Sequence, residues 1–584
     1  MSAAPDTHHS PVMAAFLEHR TPMRDAAWLS LVSGVLMIIP SWFMFEVYGR
    51  VLNSRNLATL WWLVLLVLGA YVVVELLELA RARVLEHIAA GVERKLRARL
   101  FDGAFNANLR RLPGGSVLAF NDLKTIRDFI VSPVLTAALD IPAALVCMGL
   151  LYLLSPWLGL LGLVGALIQV GLIALTERRT MPLLNKATEA AGQAQGYANA
   201  TLARAPVIYS MGMLPDVHAL WLGRQHRALG QQAAASDYAG TTSAVAKMVQ
   251  TLQGSILLGA ACWIALEGKL LGGAGMAIVA SIIGGRALQP LAQLVPHWRT
   301  VIQARDANAR ITRLFAQQVA VEPSMELPAP VGLLTAEAVI AGAPGGQAPI
   351  LRGVSFVAKP GQVTVIVGPS ASGKTTLARL IVGVWPCQSG KVRLDGADVY
   401  AWNKAELGPH IGYLPQNVEL FDGTVAENIA RFGDVDRDMV QAAAQEVGLH
   451  ETIEALPLGY DSPIGADGTV LSGGQRQRLG LARALYGQPR VVVLDEPNSS
   501  LDEDGEKALQ MVLAGLKARQ ATVVAITHRA SLLQAADAML VLQDGLVAMF
   551  GPRDEVLAAL RKAAEAARAP AAPVAPAVPA ETAK

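Results

Sequence analysis

The amino-acid sequence predicts an α-helical membrane domain of six spans, followed by an α/β domain. Three observations support this fold class: six long apolar runs before residue 296, short β-branched runs after residue 330, and a phosphate-loop motif at residues 368–375. Of the 584 residues, 53% are hydrophobic and 16% are charged, whereas a typical soluble chain has about 25% charged residues. This composition excludes a disordered or collagen-like protein and favours a membrane protein.

Each apolar run approaches or exceeds the roughly 20 residues that a helix needs to cross a bilayer. The runs are residues 26–48, 58–80, 134–154, 157–176, 248–266 and 271–295. Buried helices of a large soluble core are the weaker interpretation, because so little polar chain could not enclose six such runs. The first run is too long for a cleaved signal peptide and contains no small-residue cleavage site.

Basic residues predict the orientation of the spans. Lys and Arg cluster in the two long connectors, between the second and third runs and between the fourth and fifth, whereas the opposite loops carry only Arg50, Arg55 and Lys269. By the positive-inside rule, both connectors and both termini lie in the cytoplasm. The connectors are rich in Ala, Leu and charged residues with few breakers, which predicts that the membrane helices continue into the cytosol.

Composition also predicts the domain boundaries. Residues 1–25 form a disordered cytoplasmic N-terminal tail, and residues 26–321 form the membrane domain. Residues 322–330 are Pro-rich and lose periodicity, as expected of a linker. Residues 331–563 alternate short β-branched and helical runs, which is typical of an α/β domain. Residues 564–584 are mostly Ala and Pro and are predicted to be disordered.

Net charge bears on the class of partner, and cysteine content bears on the presence of disulfides. The net charge of +2 provides no basic excess that would favour a nucleic acid partner, so none is expected. Three cysteines are too few for a disulfide framework. Cys147, Cys262 and Cys387 are therefore expected to be reduced, structural thiols.

The phosphate-binding pattern GxxxxGK[ST] lies at residues 368–375, between an apolar strand at 363–367 and a helical stretch at 376–382. Its glycines let backbone N–H groups turn toward phosphate oxygens, and the helix N-terminus adds the positive end of its dipole. Lys374 is expected to reach the β- and γ-phosphates, and the Thr375 hydroxyl to bind Mg²⁺. The residues predicted to hold the nucleotide here are Gly368, Pro369, Ser370, Ala371, Ser372, Gly373, Lys374, Thr375 and Thr376.

An apolar strand predicted at residues 491–494 ends in two carboxylates, Asp495 and Glu496. A strand with acidic residues at its end is often only structural. Together with a phosphate loop, however, it predicts a nucleotide hydrolysis site. Asp495 is placed to hold Mg²⁺ directly or through water, and Glu496 to orient or activate the attacking water.

Between these motifs, residues 471–475 open a predicted helix that carries Arg476 and Arg478. A Ser-Gly-Gly at a helix start offers a hydroxyl and uncovered N–H groups to an anion. Ser and Gly are also common at the start of ordinary helices, where they only cap the helix. The residues alone leave both interpretations open.

The stretch Leu-Ser-Gly-Gly-Gln at 471–475 is similar to the signature sequence of ATP-binding cassette (ABC) proteins. Gln416, after Tyr-Leu-Pro, resembles the Q-loop glutamine that senses Mg²⁺ and the transmembrane domain. Residues 500–502, Ser-Leu-Asp, resemble the D-loop, and His528 resembles the switch histidine that contacts the γ-phosphate. The resemblance covers about 230 residues with its motifs in family order.

This resemblance implies that the chain binds ATP with Mg²⁺ and hydrolyses it. The implied catalytic residues are Gln416, Glu496 and His528, and the implied metal-binding residues are Thr375, Gln416 and Asp495. The residues implied to contact the ATP held by the opposite cassette are Ser472, Gly473, Gly474 and Gln475. Because six spans and one cassette make half a transporter, the resemblance implies a homodimer.

One stretch departs from the family. ABC proteins commonly stack adenine on an aromatic residue shortly before the strand that precedes the phosphate loop. The best-aligned stretch, residues 339–344, has Ala341 at that position. The departure implies that adenine is held in another way or that selectivity for ATP is weak, and we expect Ala341→Tyr to tighten nucleotide binding.

The membrane half resembles ABC exporters, because it precedes the cassette and has long cytoplasmic connectors. The stretches similar to type I protein-secretion transporters of the protease-export (PrtD) class are residues 47–55, 122–127, 209–215 and 285–291. Gly49 stands where this class usually has Asp, and Pro206 where it usually has Glu. Because about 25 residues precede the first span, we expect no peptidase-like domain of the kind that other type I exporters carry there.

The resemblance implies an inner-membrane protein with a cytoplasmic cassette that exports an unfolded polypeptide. Its implied partners are a periplasmic membrane-fusion adaptor, an outer-membrane channel, the secreted polypeptide and membrane lipid. A lipid or small-molecule flippase on the same scaffold is the alternative, and six spans exclude an ABC ATPase without a transport role.

Asp140 and Arg286 lie within predicted spans, where ionisable side chains are costly and usually face a cavity or a partner. We expect Asp140 and Arg286 to line the translocation path or to make paired contacts. The alternative is a structural placement of these side chains near helix ends.

Overall fold

The computed structural model describes residues 10–110, 112, 117–270, 273, 275–317, 326–344, 346, 348–465 and 471–568. The chain divides into two compact units, a helical unit before residue 320 and an α/β unit after it. The predicted linker lies close to this division. Residues 326–333 have no regular secondary structure, and residues 322–325 lie outside the described part of the chain.

The helical unit is built from long helices. Its helices are α1 (Pro11–Leu17), α2 (Arg20–Leu36), α3 (Ile39–Glu46), α4 (Leu52–Ser54), α5 (Leu57–Leu109), α6 (Leu118–Ile130), α7 (Pro133–Leu154), α8 (Pro156–Leu202), α9 (Ala205–Ser210), α10 (Leu214–Leu266) and α11 (Gly275–Ala316), and a π-helical segment (Val47–Val51) joins α3 to α4. Among the described residues, six helical segments are long and apolar enough to cross a membrane, which confirms the predicted six spans. Helices α5 and α10 each run for 53 residues, well beyond a bilayer thickness, as the composition of the connectors predicted.

The prediction of a disordered tail over residues 1–25 was wrong for its described part. Helix α1 begins at Pro11, and the Ser10 hydroxyl caps it by accepting a hydrogen bond from the Met13 N–H at 3.1 Å. Val12 and Ala15 are buried against residues of α5 and α11. A Ser N-cap followed by Pro at the first helical position is a helix-start signal.

Buried amide side chains join α8 to α10. A Cβ atom placed on Gly165 would lie 1.4 Å from the Gln253 Oε1 atom, so only glycine leaves room for this side chain. The fully buried Gln169 donates from Nε2 to the Ala246 carbonyl oxygen at 2.8 Å. Small residues that admit a polar side chain are typical of contacts between membrane helices. These two amides therefore fix the register of α8 against α10.

The α/β unit contains two sheets. The first is antiparallel with strand order β2-β1-β4-β5, and the second has the order β10-β9-β3-β8-β7-β6. The strands are β1 (Leu334–Ala341), β2 (Leu351–Ala358), β3 (Val363–Val367), β4 (Ser389–Leu394), β5 (Ala397–Asp398), β6 (Ile411–Leu414), β7 (Val491–Asp495), β8 (Thr522–Ile526), β9 (Ala538–Gln543) and β10 (Leu546–Pro552). Strands β9, β3, β8, β7 and β6 run parallel, so their carboxyl ends lie at one edge of the sheet.

The α/β unit also contains helices, several of which pack against this second sheet. They are α12 (Lys374–Ile381), α13 (Lys404–Leu407), α14 (Val425–Ile429), α15 (Arg437–Glu446), α16 (His450–Glu454), α17 (Gly473–Leu485), α18 (Glu503–Ala518), α19 (Ala530–Ala535) and α20 (Arg553–Arg568). Helix α20 extends five residues into the stretch predicted to be disordered from residue 564, because Ala favours helix until the first proline at Pro570. Residues 569–584 lie outside the described part of the chain, and the three cysteines are free thiols.

Candidate nucleotide-hydrolysis site

The phosphate loop joins β3 to α12, which confirms the predicted strand, loop and helix. Gly373 caps α12 with φ +99°, and a Cβ atom there would lie 2.6 Å from the Leu351 Cδ2 atom. A Cβ atom on Gly368 would lie 2.2 Å from the Leu542 carbonyl oxygen. Both positions therefore require glycine, and the turn they permit leaves the first N–H groups of α12 free for phosphate oxygens.

Lys374 lies inside this loop. Its side chain is buried, and its Nζ atom donates to the carbonyl oxygens of Gly368 and Pro369, each at 2.8 Å. Burial lowers the pKa of the Lys374 ammonium, whereas the nearby Glu496 and Asp495 carboxylates raise it. A cation held in this way is placed to meet phosphate charge, which would favour the ammonium form further.

The other predicted loop residues differ in exposure. Pro369, Ser370 and Ala371 are exposed, whereas Ser372 and Thr376 are buried. The Ser372 hydroxyl is buried without a hydrogen-bond partner among the described residues. A buried polar atom without a partner costs free energy unless a ligand satisfies it, so the Ser372 hydroxyl fits a phosphate-binding loop.

Asp495 ends strand β7, beside the loop. The side chain is 1% exposed, and neither carboxylate oxygen has a hydrogen bond of ordinary geometry within the described part of the chain. Burial raises the pKa of Asp495, while the Thr375 hydroxyl and the Arg379 and Lys374 cations oppose that rise. A divalent cation such as Mg²⁺ prefers oxygen ligands. The Asp495 carboxylate and the Thr375 hydroxyl therefore fit the predicted metal site.

Glu496 and Gln416 lie together at the ends of neighbouring strands. Gln416 follows β6, and its Nε2 atom donates to the Glu496 Oε2 atom at 3.0 Å. The Glu496 backbone adopts the left-handed conformation with φ +51°. The structure thus brings together two of the three residues that were predicted to be catalytic.

His528 lies at the same edge of the sheet. It is exposed and comes two residues after β8 ends at Ile526. The Glu496 N–H donates to the Ile526 carbonyl oxygen at 3.0 Å, which ties the end of β7 to the end of β8. The carboxyl ends of three parallel strands therefore carry the phosphate loop, the carboxylate pair and His528.

Ser472 caps helix α17. Its N–H donates to the Gln475 Oε1 atom at 2.8 Å, and the Gln475 N–H donates to the Ser472 Oγ atom at 3.3 Å. This reciprocal pair is a capping box. Of the two interpretations that the sequence left open, the helix cap is confirmed. Ser472 and Gly473 are nevertheless exposed, so the helix start also remains accessible to an anion.

Ala341 does not face a nucleotide. It ends β1, pairs with Leu351 of β2, and is fully buried in the hydrophobic core of the unit. A side chain that stacks on a base has to reach the surface of the binding site. The assignment of Ala341 to the adenine-stacking position was therefore wrong, because the alignment could not show that this residue points into the core.

Sequence reasoning did not identify Gln477 as part of the site. Its Nε2 atom donates to the Glu496 carbonyl oxygen at 3.1 Å, and it is buried. The available signal was its position on α17, where Gly480, Leu481 and Ala484 complete an apolar stripe at helical spacing. A polar residue on such a stripe needs a specific partner.

The helical unit contains a polar cavity between its helices. The Asp140 Oδ1 atom accepts a hydrogen bond from the Arg81 guanidinium at 2.7 Å, and Arg81 also donates to the Ser30 hydroxyl at 2.9 Å. This pair confirms the expectation of a paired contact for Asp140. The polar residues that line the cavity are Ser33, Glu78, Asp140, Arg286, Gln289 and Gln293.

Comparison with known proteins agrees with this arrangement. The profile of the ABC transporter transmembrane region matches residues 26–280, and the profile of the ABC transporter matches residues 351–499. A bacterial Atm1-family ABC exporter solved with ATP bound superposes with a TM-score of 0.82 over 95% of this chain and 99% of the other, at 22% identity. This likeness shows that the fold is shared.

Three curated relatives are similar in sequence. The type I secretion system ATP-binding protein PrsD of Rhizobium meliloti is 37% identical over 93% of this chain and 94% of its own length. The cyclolysin secretion/processing ATP-binding protein CyaB of Bordetella pertussis is 30% identical over 93% of this chain and 77% of its own length. An ATP-dependent lipid A-core flippase of Xanthomonas campestris is 35% identical over 55% of this chain and 54% of its own length.

The profile matches cover both units, and the similarity to PrsD extends over nearly the whole chain. Together with the phosphate loop and its facing carboxylates, they identify the enzymatic activity as well as the fold. The chain belongs to the ABC exporters and is an ATP-hydrolysing, multi-pass membrane transporter whose transmembrane domain precedes its ATP-binding domain.

Proposed function

We propose that this protein exports an unfolded polypeptide across the inner membrane, as the ABC component of a type I secretion system. The observation that carries the proposal is the similarity to PrsD, which includes the membrane half as well as the cassette. The cassette of an ABC protein binds ATP whatever the cargo is, so similarity in the membrane half bears more directly on the cargo. In this proposal the cassette lies in the cytoplasm.

The site supports a specific division of roles in hydrolysis. Gly368, Gly373 and Lys374 bind the phosphates, and the Thr375 hydroxyl with the Asp495 carboxylate would hold Mg²⁺, which neutralises phosphate charge. The other loop residues, Pro369, Ser370, Ala371, Ser372 and Thr376, shape the cradle around the phosphates.

The remaining residues act on the γ-phosphate side. The Glu496 carboxylate orients the attacking water and accepts its proton, because a general base has to lie within hydrogen-bond reach of that water. Gln416 holds the Glu496 carboxylate through their 3.0 Å hydrogen bond and would also help to hold Mg²⁺. His528 contacts the γ-phosphate from the end of the neighbouring strand.

The proposed unit of function is a homodimer. In it, Ser472, Gly473, Gly474 and Gln475 of one copy contact the ATP bound by the other copy. The exposure of Ser472 and Gly473 at the start of α17 supports this role, because an accessible helix N-terminus favours an anion. A periplasmic membrane-fusion adaptor and an outer-membrane channel complete the proposed secretion system, with membrane lipid around the spans.

The polar cavity of the helical unit supports a polypeptide cargo. An extended polypeptide exposes backbone amides along its whole length, so its path through the membrane has to be polar and accessible to water. Asp140 and Arg286 line the cavity together with Glu78 and two glutamines. Ionisable residues at membrane depth are costly and usually mark such a path.

A lipid flippase is the second candidate, because the lipid A-core flippase is 35% identical over 55% of this chain. Deleting the gene and comparing the extracellular proteome and the lipid composition of the two leaflets separates the candidates. The proposal predicts the loss of one or a few secreted proteins with unchanged lipids. An unchanged set of secreted proteins with altered leaflet lipids would overturn it in favour of the flippase.

A further inference from the structure

The side chain of Gln477 bridges helix α17 to the segment that follows β7. Its Nε2 atom donates to the Glu496 carbonyl oxygen at 3.1 Å and to the Ser499 hydroxyl at 3.3 Å. Its Oε1 atom accepts a hydrogen bond from the Ser500 N–H at 2.8 Å. The side chain is 4% exposed. One buried amide therefore uses both of its ends to hold residues 496–500.

The backbone of Glu496 needs this support. A non-glycine residue in the left-handed region, here with φ +51°, is strained and persists only where its surroundings enforce it. The Glu496 N–H donates to Ile526, and its carbonyl oxygen accepts from the Ser499 N–H at 3.2 Å as well as from Gln477. Gln477 is the only one of these partners that belongs to α17.

Two further contacts join α17 to the same segment. A Cβ atom on Gly474 would lie 3.0 Å from the Ser500 carbonyl oxygen, so glycine permits the close approach. The Arg478 guanidinium lies 3.8 Å from the Asp502 carboxylate. The start of α17 and residues 496–502 thus pack as one piece within the cassette.

We propose that Gln477 is a positioning residue for ATP hydrolysis. It holds the Glu496 main chain in the conformation that presents the carboxylate to Gln416, and it ties that main chain to α17, the helix that Ser472 caps. The proposal rests on the role of Glu496 as the base and on the contact of Ser472 with the opposite ATP. In the homodimer, Gln477 then connects a group that acts on one ATP to a group that acts on the other.

Gln477→Glu tests this role in the full-length protein in detergent. The substitution keeps an acceptor for the Ser500 N–H but replaces the donor with a carboxylate oxygen that faces the Glu496 carbonyl. We expect kcat for ATP to fall about 10-fold to 100-fold, as for a misplaced catalytic group, with KM changed less than about 2-fold because phosphate binding is untouched. Gln510→Ala, at an exposed glutamine of α18, is the matched control and should keep wild-type kinetics.

A double-mutant cycle separates positioning from a purely structural effect. If Gln477 acts through Glu496, then Gln477→Glu lowers the residual rate of a Glu496→Gln protein no further. Multiplied losses in the double variant, or a raised KM with unchanged kcat in the single variant, would overturn the proposal for Gln477. Wild-type turnover in Glu496→Gln alone would overturn the role of Glu496, and this inference with it. If Gln477→Glu does not fold, Gln477→Met, which is similar in shape but makes no amide hydrogen bonds, takes its place in the cycle.

Discussion

The two units satisfy the partly exposed Asp140 and the buried Asp495 carboxylates in opposite ways. In the helical unit, Asp140 accepts a hydrogen bond from Arg81 at 2.7 Å, and Arg81 donates to Ser30 as well. In the α/β unit, Asp495 is almost fully buried, and its oxygens lack hydrogen bonds of ordinary geometry within the described residues. A buried charge with a protein partner is satisfied by the fold, whereas one without such a partner needs a ligand.

This difference distinguishes a charge pair within the protein from a site for metal and nucleotide. Both carboxylates have charged neighbours: Arg81 lies beside Asp140, and Glu496, Arg379 and Lys374 lie near Asp495. The difference is that Asp140 has a hydrogen-bonded partner, whereas Asp495 has none of ordinary geometry among the described residues. The strongest tests of the comparison therefore change one partner at a time and record which property fails: catalysis in the α/β unit or stability in the helical unit.

The largest expected effect is on catalysis. Lys374→Ala should abolish ATP hydrolysis, because the loop then lacks its phosphate-facing cation. Glu496→Gln should still bind ATP but hydrolyse it at least about 100-fold more slowly, since it lacks the base. Steady-state ATPase assays on detergent-solubilised protein measure both effects. Lys507→Ala, at an exposed lysine of α18, is the control and should keep wild-type turnover.

The second prediction compares the Asp140 and Asp495 carboxylates directly. Asp140→Asn removes the charge that pairs with the buried Arg81 and should destabilise the helical unit by about 1–3 kcal/mol. Asp495→Asn removes a buried charge that has no hydrogen bond of ordinary geometry among the described residues and should stabilise the nucleotide-free α/β unit, because burial outweighs the nearby cations. Thermal unfolding of both variants without nucleotide measures the two changes in stability. Shifts of the same sign would break the comparison.

The third prediction concerns Ala341. Because this residue is fully buried in the core of the α/β unit, Ala341→Tyr should overpack it and destabilise the unit by about 1–3 kcal/mol. Nucleotide affinity of the folded fraction should stay unchanged, contrary to the expectation from sequence. Thermal unfolding and ATP titration measure the two properties. Tighter ATP binding at unchanged stability would restore the stacking role.

The smallest expected effect is on pH dependence. Burial raises the pKa of Asp495, so the folded state holds its proton more tightly than the unfolded state does. The ionised carboxylate therefore destabilises the nucleotide-free fold fully above its folded pKa, and the cost disappears below the unfolded value of about 3.9. The stability gain of Asp495→Asn should thus shrink as the pH falls. A stability gain of Asp495→Asn that grows toward low pH would contradict a raised pKa of Asp495.

Much of the α/β unit could be predicted from sequence because its function depends on contiguous motifs. The phosphate loop, the strand before Asp495 and the helix start at Ser472 each lie within a few residues, and the structure shows each element where it was expected. Local backbone chemistry determines such segments: glycine at tight turns, β-branched runs in buried strands, and Ser at helix caps.

The contacts that sequence reasoning missed are between distant residues. Arg81 pairs with Asp140 across 59 positions, and Gln477 reaches Glu496 across 19. The burial of Ala341 likewise depends on the pairing of β1 with β2. No local pattern encodes which strands or helices pack together, so these partners became visible only in the fold.

Restoring secretion in a deletion strain tests the export claim most directly. The wild-type gene and the Glu496→Gln variant are each expressed in that strain at equal membrane levels, and the extracellular proteome is measured. We predict that the wild type restores every lost secreted protein and that Glu496→Gln restores none, because hydrolysis at this site powers export. Full restoration by Glu496→Gln, or no loss of secreted protein on deletion, would contradict ATP-driven polypeptide export by this chain.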